Sequence, residues 1–146
     1  MQKGTYKNDL PPFLMVSGWF LKLFSKSKYA MFQSDVDTIQ SNLSFYVGKN
    51  DNALNLAGMV YSRKIAKILI RYLTQYNPGV FDKMIGRPET VTDAETRSHI
   101  IAGHLRAHPD AASKVIESFK PSEIDPKVYN TALKYAKRLK DCERCK

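Results

Sequence analysis

Two histidines and two cysteines are the residues whose types and spacing come nearest to a chemical site. His104 and His108 are four residues apart, and Cys142 and Cys145 form a C-x-x-C pair. Each pair is half of a tetrahedral zinc site, because imidazole nitrogen and thiolate sulfur are ligands that zinc prefers. A histidine pair followed much later by a cysteine pair is not a familiar zinc motif, and core histidines with free thiols are the alternative. We expect no metal and no cofactor, and zinc at these four residues stays open.

The segment Arg97–His104 reads R-S-H-I-I-A-G-H, and its first and last residues fall on the same face of a helix. This segment loosely resembles the R-x4–6-H signature of the HEPN ribonucleases, which are all-helical. In that family the arginine and histidine usually act across a dimer to cleave RNA. The resemblance implies that Arg97 and His104 form a general acid–base pair, with Ser98 where the family has a polar residue. The alternative is a surface Arg97 and a core His104.

Motifs of other enzyme classes are missing from the sequence. It contains no Gly-rich phosphate loop, no G-x-S-x-G nucleophile motif and no acidic metal-binding cluster. Asp35 and Asp37 are two residues apart, so on a helix they face different ways and make a poor carboxylate pair. We therefore expect that the protein is not an enzyme.

Net charge is the strongest signal in the composition. Lys and Arg total 23 against 14 Asp and Glu, which gives a net charge of +9. Such a field favours nucleic acid, acidic membrane surfaces or acidic proteins as partners. Both cysteines lie at the extreme C-terminus, so there is no disulfide framework, and we expect a cytoplasmic location.

The cations are grouped along two predicted helices. Three lie four residues apart on one helix flank, with a fourth beside them, and four more, including Lys140, crowd two turns of the last helix. Like charges at this spacing repel by a few tenths of a kcal/mol per pair, a cost that an anionic partner offsets. Phosphate is the natural anion, because Arg binds it bidentately and Lys binds it as a point charge. The predicted nucleic-acid-binding residues are Arg63, Lys64, Lys67, Arg71, Lys134, Lys137 and Arg138.

These groups predict a non-enzymatic, nucleic-acid-binding helical protein. It would contact the phosphate backbone of DNA or RNA through basic helix faces, alone or as a small subunit of a nucleoprotein complex. The alternative function is a protein interaction module, an inhibitor or adaptor, that binds an acidic partner. A HEPN-like ribonuclease is the third hypothesis.

The elements that must position these residues are all helical. We expect one compact bundle of about five to six helices over residues 11–146, preceded by a flexible segment over residues 1–10. Pro11 and Pro12 open the first helix, and the third is expected to run from Asn50 or Asp51 to Tyr76. Thr92 and Glu95 form a capping-box pattern, and Asp125 with Pro126 begins the last helix.

The segment Phe13–Phe24 is the most apolar part of the chain. Its large apolar residues surround nearly the whole helix, which favours burial in the core, with a protein interface or an anionic membrane surface as alternatives. The run is far short of the ~20 residues that a spanning helix needs. We therefore expect no integral membrane association.

Overall fold

The computed structural model describes residues 9–48 and 53–144 of the chain, with side chains through Cys142. These residues form one compact all-α domain, as predicted, and contain no β-strand. They include seven α-helices, one more than the upper end of the predicted range. The predicted flexible segment lies mostly outside the described residues. The helices are α1 (Pro12–Phe24), α2 (Lys26–Val47), α3 (Arg63–Tyr76), α4 (Pro78–Gly86), α5 (Ala94–Ala107), α6 (Ala112–Ser118) and α7 (Pro126–Arg144).

The start of the third helix was predicted wrongly. Helix α3 begins at Arg63, and the described chain before it is irregular, with Leu54 in an isolated bridge to Val91 and a turn over residues 57–59. The amides of Leu56 and Ala57 both donate to the Thr96 hydroxyl, at 3.2 Å each. Tertiary partners therefore satisfy backbone groups that a longer helix would have paired internally. The predicted caps Asn50 and Asp51 lie outside the described residues.

A buried carboxylate fixes where α3 begins. Asp35 of α2 is 1% exposed, and it accepts hydrogen bonds from the amides of Tyr61 at 2.7 Å and Ser62 at 2.9 Å. The Ser62 hydroxyl in turn accepts from the amide of Ile65 at 3.3 Å. A negative charge at a helix N-terminus is favoured by the helix dipole. Asp35 is therefore a structural residue that ties α2 to α3.

The start of α5 also differs from the prediction, by one residue. Asp93, not Thr92, is the N-cap, and its carboxylate accepts from the amide of Thr96 at 2.9 Å. The Thr96 hydroxyl donates its proton to the same carboxylate oxygen at 2.7 Å. The lone pairs of the hydroxyl oxygen are therefore free to accept from the amides of Leu56 and Ala57, which precede α3. The beginnings of α3 and α5 are thus coupled through one threonine.

The prediction that Phe13–Phe24 is buried was wrong. Only Leu14 and Gly18 of α1 are buried, where the helix packs against α2. Large apolar side chains on the rest of α1 are half or more exposed: Phe13, Met15, Val16, Trp19, Phe20, Leu23 and Phe24. Neighbouring elements cover one side of this apolar helix and leave the other side to solvent.

Helices α3 and α5 pack closely against each other at Gly103. A Cβ atom at this position would overlap the Thr74 hydroxyl and the backbone carbonyl of Arg71, lying 2.9 Å from the carbonyl carbon. Backbone cannot move aside as the end of a flexible side chain can. Only glycine therefore allows the two helices to approach this closely.

We predict that Gly103→Ala lowers the free energy of unfolding by about 2 kcal/mol or more, since overpacking that shifts backbone costs 1–3 kcal/mol and sometimes more. Gly86→Ala is the matched control, because a Cβ there meets nothing within 4 Å. The control should be neutral or slightly stabilising. Urea denaturation of both variants checks this, and equal stability would contradict the close packing at Gly103.

Candidate nucleic-acid interface

A cleft of about 300 Å³ lies between α3, α5 and α7, and its walls are strongly basic. Lys67 and Arg71 come from α3, Arg106 from α5 and Lys127 from α7, with Asp125 as the one acidic residue among those that line the cleft. Three helices thus bring four cations to one concave surface with a single opposing charge. The remaining lining residues are Ala102, Leu105, Val128, Thr131 and Tyr135.

The helix contacts explain why these cations converge. Lys67 and Arg71 are one turn apart on α3, and Arg106 is three residues after Gly103, the point where α5 crosses close to α3. The start of α7 is held against α5, because the Ser98 hydroxyl accepts from the amide of Asp125 at 2.8 Å. The Asp125 carboxylate caps the amide of Lys127 at 2.8 Å, which places Lys127 at the cleft.

His99 lies between Arg71 and Glu95, and its buried Nε2 atom has no hydrogen-bond partner. The Arg71 Nε–H donates to His99 Nδ1 at 3.3 Å, and His99 Nε2 lies 3.8 Å from a carboxylate oxygen of Glu95. Burial, followed by the charges of Arg71 and Lys67, lowers the pKa of His99 to about 4. A neutral imidazole can accept from Arg71, so His99 orients the guanidinium without adding a positive charge.

The cleft holds like charges in proximity. The pKa of Arg71 is lowered by burial and by the charge of Arg106, and Asp125 opposes this effect. Arginine remains charged at any physiological pH, so the repulsion between Arg71 and Arg106 persists. An anion placed between these groups relieves it, and a phosphate oxyanion matches the guanidinium donors in geometry.

The four cations predicted on α3 point in three different directions. Lys67 and Arg71 line the cleft, whereas Arg63 lies 3.7 Å from Glu95 at an exposed position. Lys64 points toward α1, with its ammonium 5.7 Å from the centre of the Phe13 ring. Spacing along the helix therefore identified a basic flank, of which two members reach the concave surface.

The predicted cations of α7 extend the same side of the molecule. Lys134 and Arg138 are exposed, and each follows by three residues a residue that lines the cleft, Thr131 and Tyr135 respectively. Residues at that spacing share a helix face. Lys137 is exposed too, but it is rotated by about 100° from Arg138 around the helix axis.

Sequence reasoning missed Arg106 and Lys127. Residues 77–108 carry equal numbers of acids and cations, so charge counting gave no reason to single out Arg106. Lys127 did leave a signal, because a cation in the first turn of a helix opposes the helix dipole. A residue type at an unfavourable local position can indicate a tertiary or functional role.

The residues of the HEPN resemblance do not form an exposed pair. His104 is 4% exposed, and its ring stacks on Phe81 at a centroid distance of 3.9 Å and on His108 at 4.7 Å. The Arg97 guanidinium donates to the carbonyl of Val91 at 2.8 Å and to that of Glu123 at 2.7 Å and 3.0 Å. His104 is thus a core residue, and Arg97 ties two loops to α5.

A zinc site is not assembled in the part of the chain that the structure describes. No group of three or more His, Cys, Asp and Glu side chains there could hold a metal ion. Cys142 is exposed on α7, and Cys145 lies outside the described residues. His104 Nδ1 is buried and has no hydrogen-bond partner.

None of the helices in residues 9–48 and 53–144 combines the length and apolarity needed to cross a bilayer. No protein-family model, curated protein or solved structure matches the chain. The residues of the cleft are therefore the basis for a functional proposal.

We predict that the protein loses stability as the pH falls from 6.5 toward 4. Burial is the main cause that lowers the pKa of His104 from 6.5 to about 4 in the fold. The unfolded chain takes up a proton in this range and the folded chain does not, so the free energy of unfolding decreases as the pH is lowered. Urea denaturation at several pH values should show a weaker decline for His104→Phe. If the variant lost as much stability as the wild type over this pH range, buried His104 would not be a cause of the decline.

Proposed function

We propose that the protein binds nucleic acid without cleaving it, through the phosphate backbone, and that the cleft between α3, α5 and α7 is its main phosphate site. One observation carries the proposal: four cations from three helices converge on one concave surface that has a single carboxylate. Charge-assisted hydrogen bonds from Arg and Lys are the strongest contacts that a protein makes to phosphate. Arg71 is already oriented for this by its bond to His99.

The surface continues beyond the cleft as a track along α7. Lys127, Lys134 and Arg138 fall on one helix face over 11 residues. At 1.5 Å per residue they span about 16 Å, which is the axial rise of about five base pairs at 3.4 Å each. This length favours an extended polyanion over a single small anion.

The cations imply contacts to the backbone and not to base edges. Lys and Arg contacts to phosphate give affinity and orientation but carry no sequence information directly. The proposal therefore concerns sequence-tolerant binding, either by the protein alone or within a larger nucleoprotein assembly.

The test uses Arg106→Ala/Lys127→Ala, because both residues line the cleft and both are exposed. The wild type should show a log–log salt slope of about −3 to −5, since it engages about four to six phosphates. The double variant should bind at least about tenfold more weakly, and its slope should be shallower by about 2. Fluorescence anisotropy with labelled single- and double-stranded DNA and RNA at several salt concentrations measures both quantities.

Lys114→Ala/Lys120→Ala is the matched control, since both residues are exposed and outside the cleft and the change in charge is the same. Its affinity and slope should stay close to those of the wild type. Equal losses in the two double variants would mean that net charge, not the cleft, drives binding. A shallow wild-type slope on every nucleic acid would contradict the proposed function itself.

A further inference from the structure

The outer side of α1 is an apolar surface that the rest of the described chain does not cover. We define the α1 surface as Phe13, Met15, Val16, Trp19, Phe20, Leu23 and Phe24, of which each is at least 50% exposed. At 3.6 residues per turn these residues sweep about half of the helix circumference. The opposite side packs on α2, where a Cβ on Gly18 would lie 2.8 Å from the Phe32 ring.

The apolar area that α1 exposes lies in the size range of patches that are often functional. An aromatic side chain can bury 150–250 Å², so the four half-exposed aromatic residues leave roughly 400 Å² of apolar area before the aliphatic residues are added. The largest apolar patch on a typical monomer is already of this size and is often functional. Met15 and Trp19 line a shallow hollow against α2 at one edge of this surface.

Lysines border the α1 surface on both sides. Lys22 lines a hollow with Met15 and Trp19 along one edge, and Lys64 lies over the Phe13 ring at the other. Lys28 lies beside Leu21 and Tyr61, further along the second edge. There is no acidic residue between Leu10 and Ser34. Asp35, the next acid, is buried and binds backbone amides.

This border of cations selects among the possible occupants. A second copy of the chain would bring lysine against lysine, which opposes self-association through this surface. A protein with a few carboxylates would match single lysines, whereas these lysines come from three helices and lie along both edges of the apolar surface. An amphipathic helix with Trp, Phe and Leu on one side and Lys beside them is typical of binding to an anionic lipid surface.

We propose that α1 docks the protein on an anionic lipid bilayer, with the helix lying in the plane of the headgroups. The aromatic side chains would enter the boundary between headgroups and acyl chains, and the lysines would contact the lipid phosphates. Lys22, Lys28 and Lys64 are outside the basic cleft, so one molecule has separate surfaces for lipid and for nucleic acid.

Trp19 provides a direct test, because it is the chain's single tryptophan and is 60% exposed. Its fluorescence is measured with vesicles of phosphatidylcholine alone and of phosphatidylcholine mixed with phosphatidylglycerol. The emission should shift to the blue and become protected from acrylamide with the anionic vesicles only. Added salt should weaken the binding. No change in Trp19 emission with either vesicle would overturn the proposal. Dimer formation or binding of an acidic protein without such a change would assign the α1 surface to another occupant.

Phe20→Asp and Phe45→Asp form a matched pair, since both side chains are at least half exposed and only the first belongs to the α1 surface. Phe20→Asp should lower the partition coefficient for anionic vesicles at least tenfold, and Phe45→Asp should leave it unchanged. Equal effects would overturn the proposal. The cleft variant Arg106→Ala/Lys127→Ala should keep the Trp19 shift, and Phe20→Asp should keep nucleic-acid binding. If the cleft variant lost the Trp19 shift while the Phe20→Asp variant still bound anionic vesicles, lipid binding would belong to the cleft, and docking through α1 would be overturned.

Discussion

The close contact between α3 and α5 at Gly103 is the constraint on which the basic cleft depends. Because Gly103 has no side chain, α5 packs directly against the backbone of Arg71. The same approach brings His99 within hydrogen-bond distance of Arg71 and sets Arg106 beside it. Ser98, one residue before His99, binds the amide of Asp125 and so fixes where α7 begins. The contact at Gly103 and the hydrogen bond between Ser98 and Asp125 together bring cations from three helices to one cleft.

Sequence patterns identified the helices whose boundaries are set locally. Pro12 opens α1 and Pro126 opens α7, as expected, because proline suits the first turn of a helix. The start of α3 could not be found in this way. Residues from Leu54 onward have helical periodicity, yet their amides bond to Thr96 and Asp35, which are distant in sequence. Such partners become visible only when the fold brings them together.

The candidate site was predictable to the same extent. Lys67 and Arg71 were found because their four-residue spacing is a local property of one helix. Arg106 and Lys127 join them through contacts between helices, which no spacing along the chain reports. The exposure of α1 is a similar case, since an apolar helix reads as buried whether neighbours cover one side or all sides.

The described chain therefore has two unsatisfied surfaces of different chemistry. The cleft concentrates positive charge in a concave site, and α1 presents apolar side chains to solvent. Both cost free energy in the isolated protein, the first through repulsion and the second through hydration of apolar area. Binding of a polyanion at the cleft would remove the first cost without involving α1.

The most direct measurement is a nitrogen-15 NMR titration of the arginine Nε–H groups with a short single-stranded DNA. Arg71 and Arg106 line the cleft, whereas the Arg97 guanidinium is already bound to two backbone carbonyls and is an internal reference. If the cleft binds the phosphate backbone, the Arg71 and Arg106 signals should shift together along one binding curve while the Arg97 signal stays in place. Shifts confined to arginines outside the cleft, or no shift at saturating DNA, would contradict binding at the cleft.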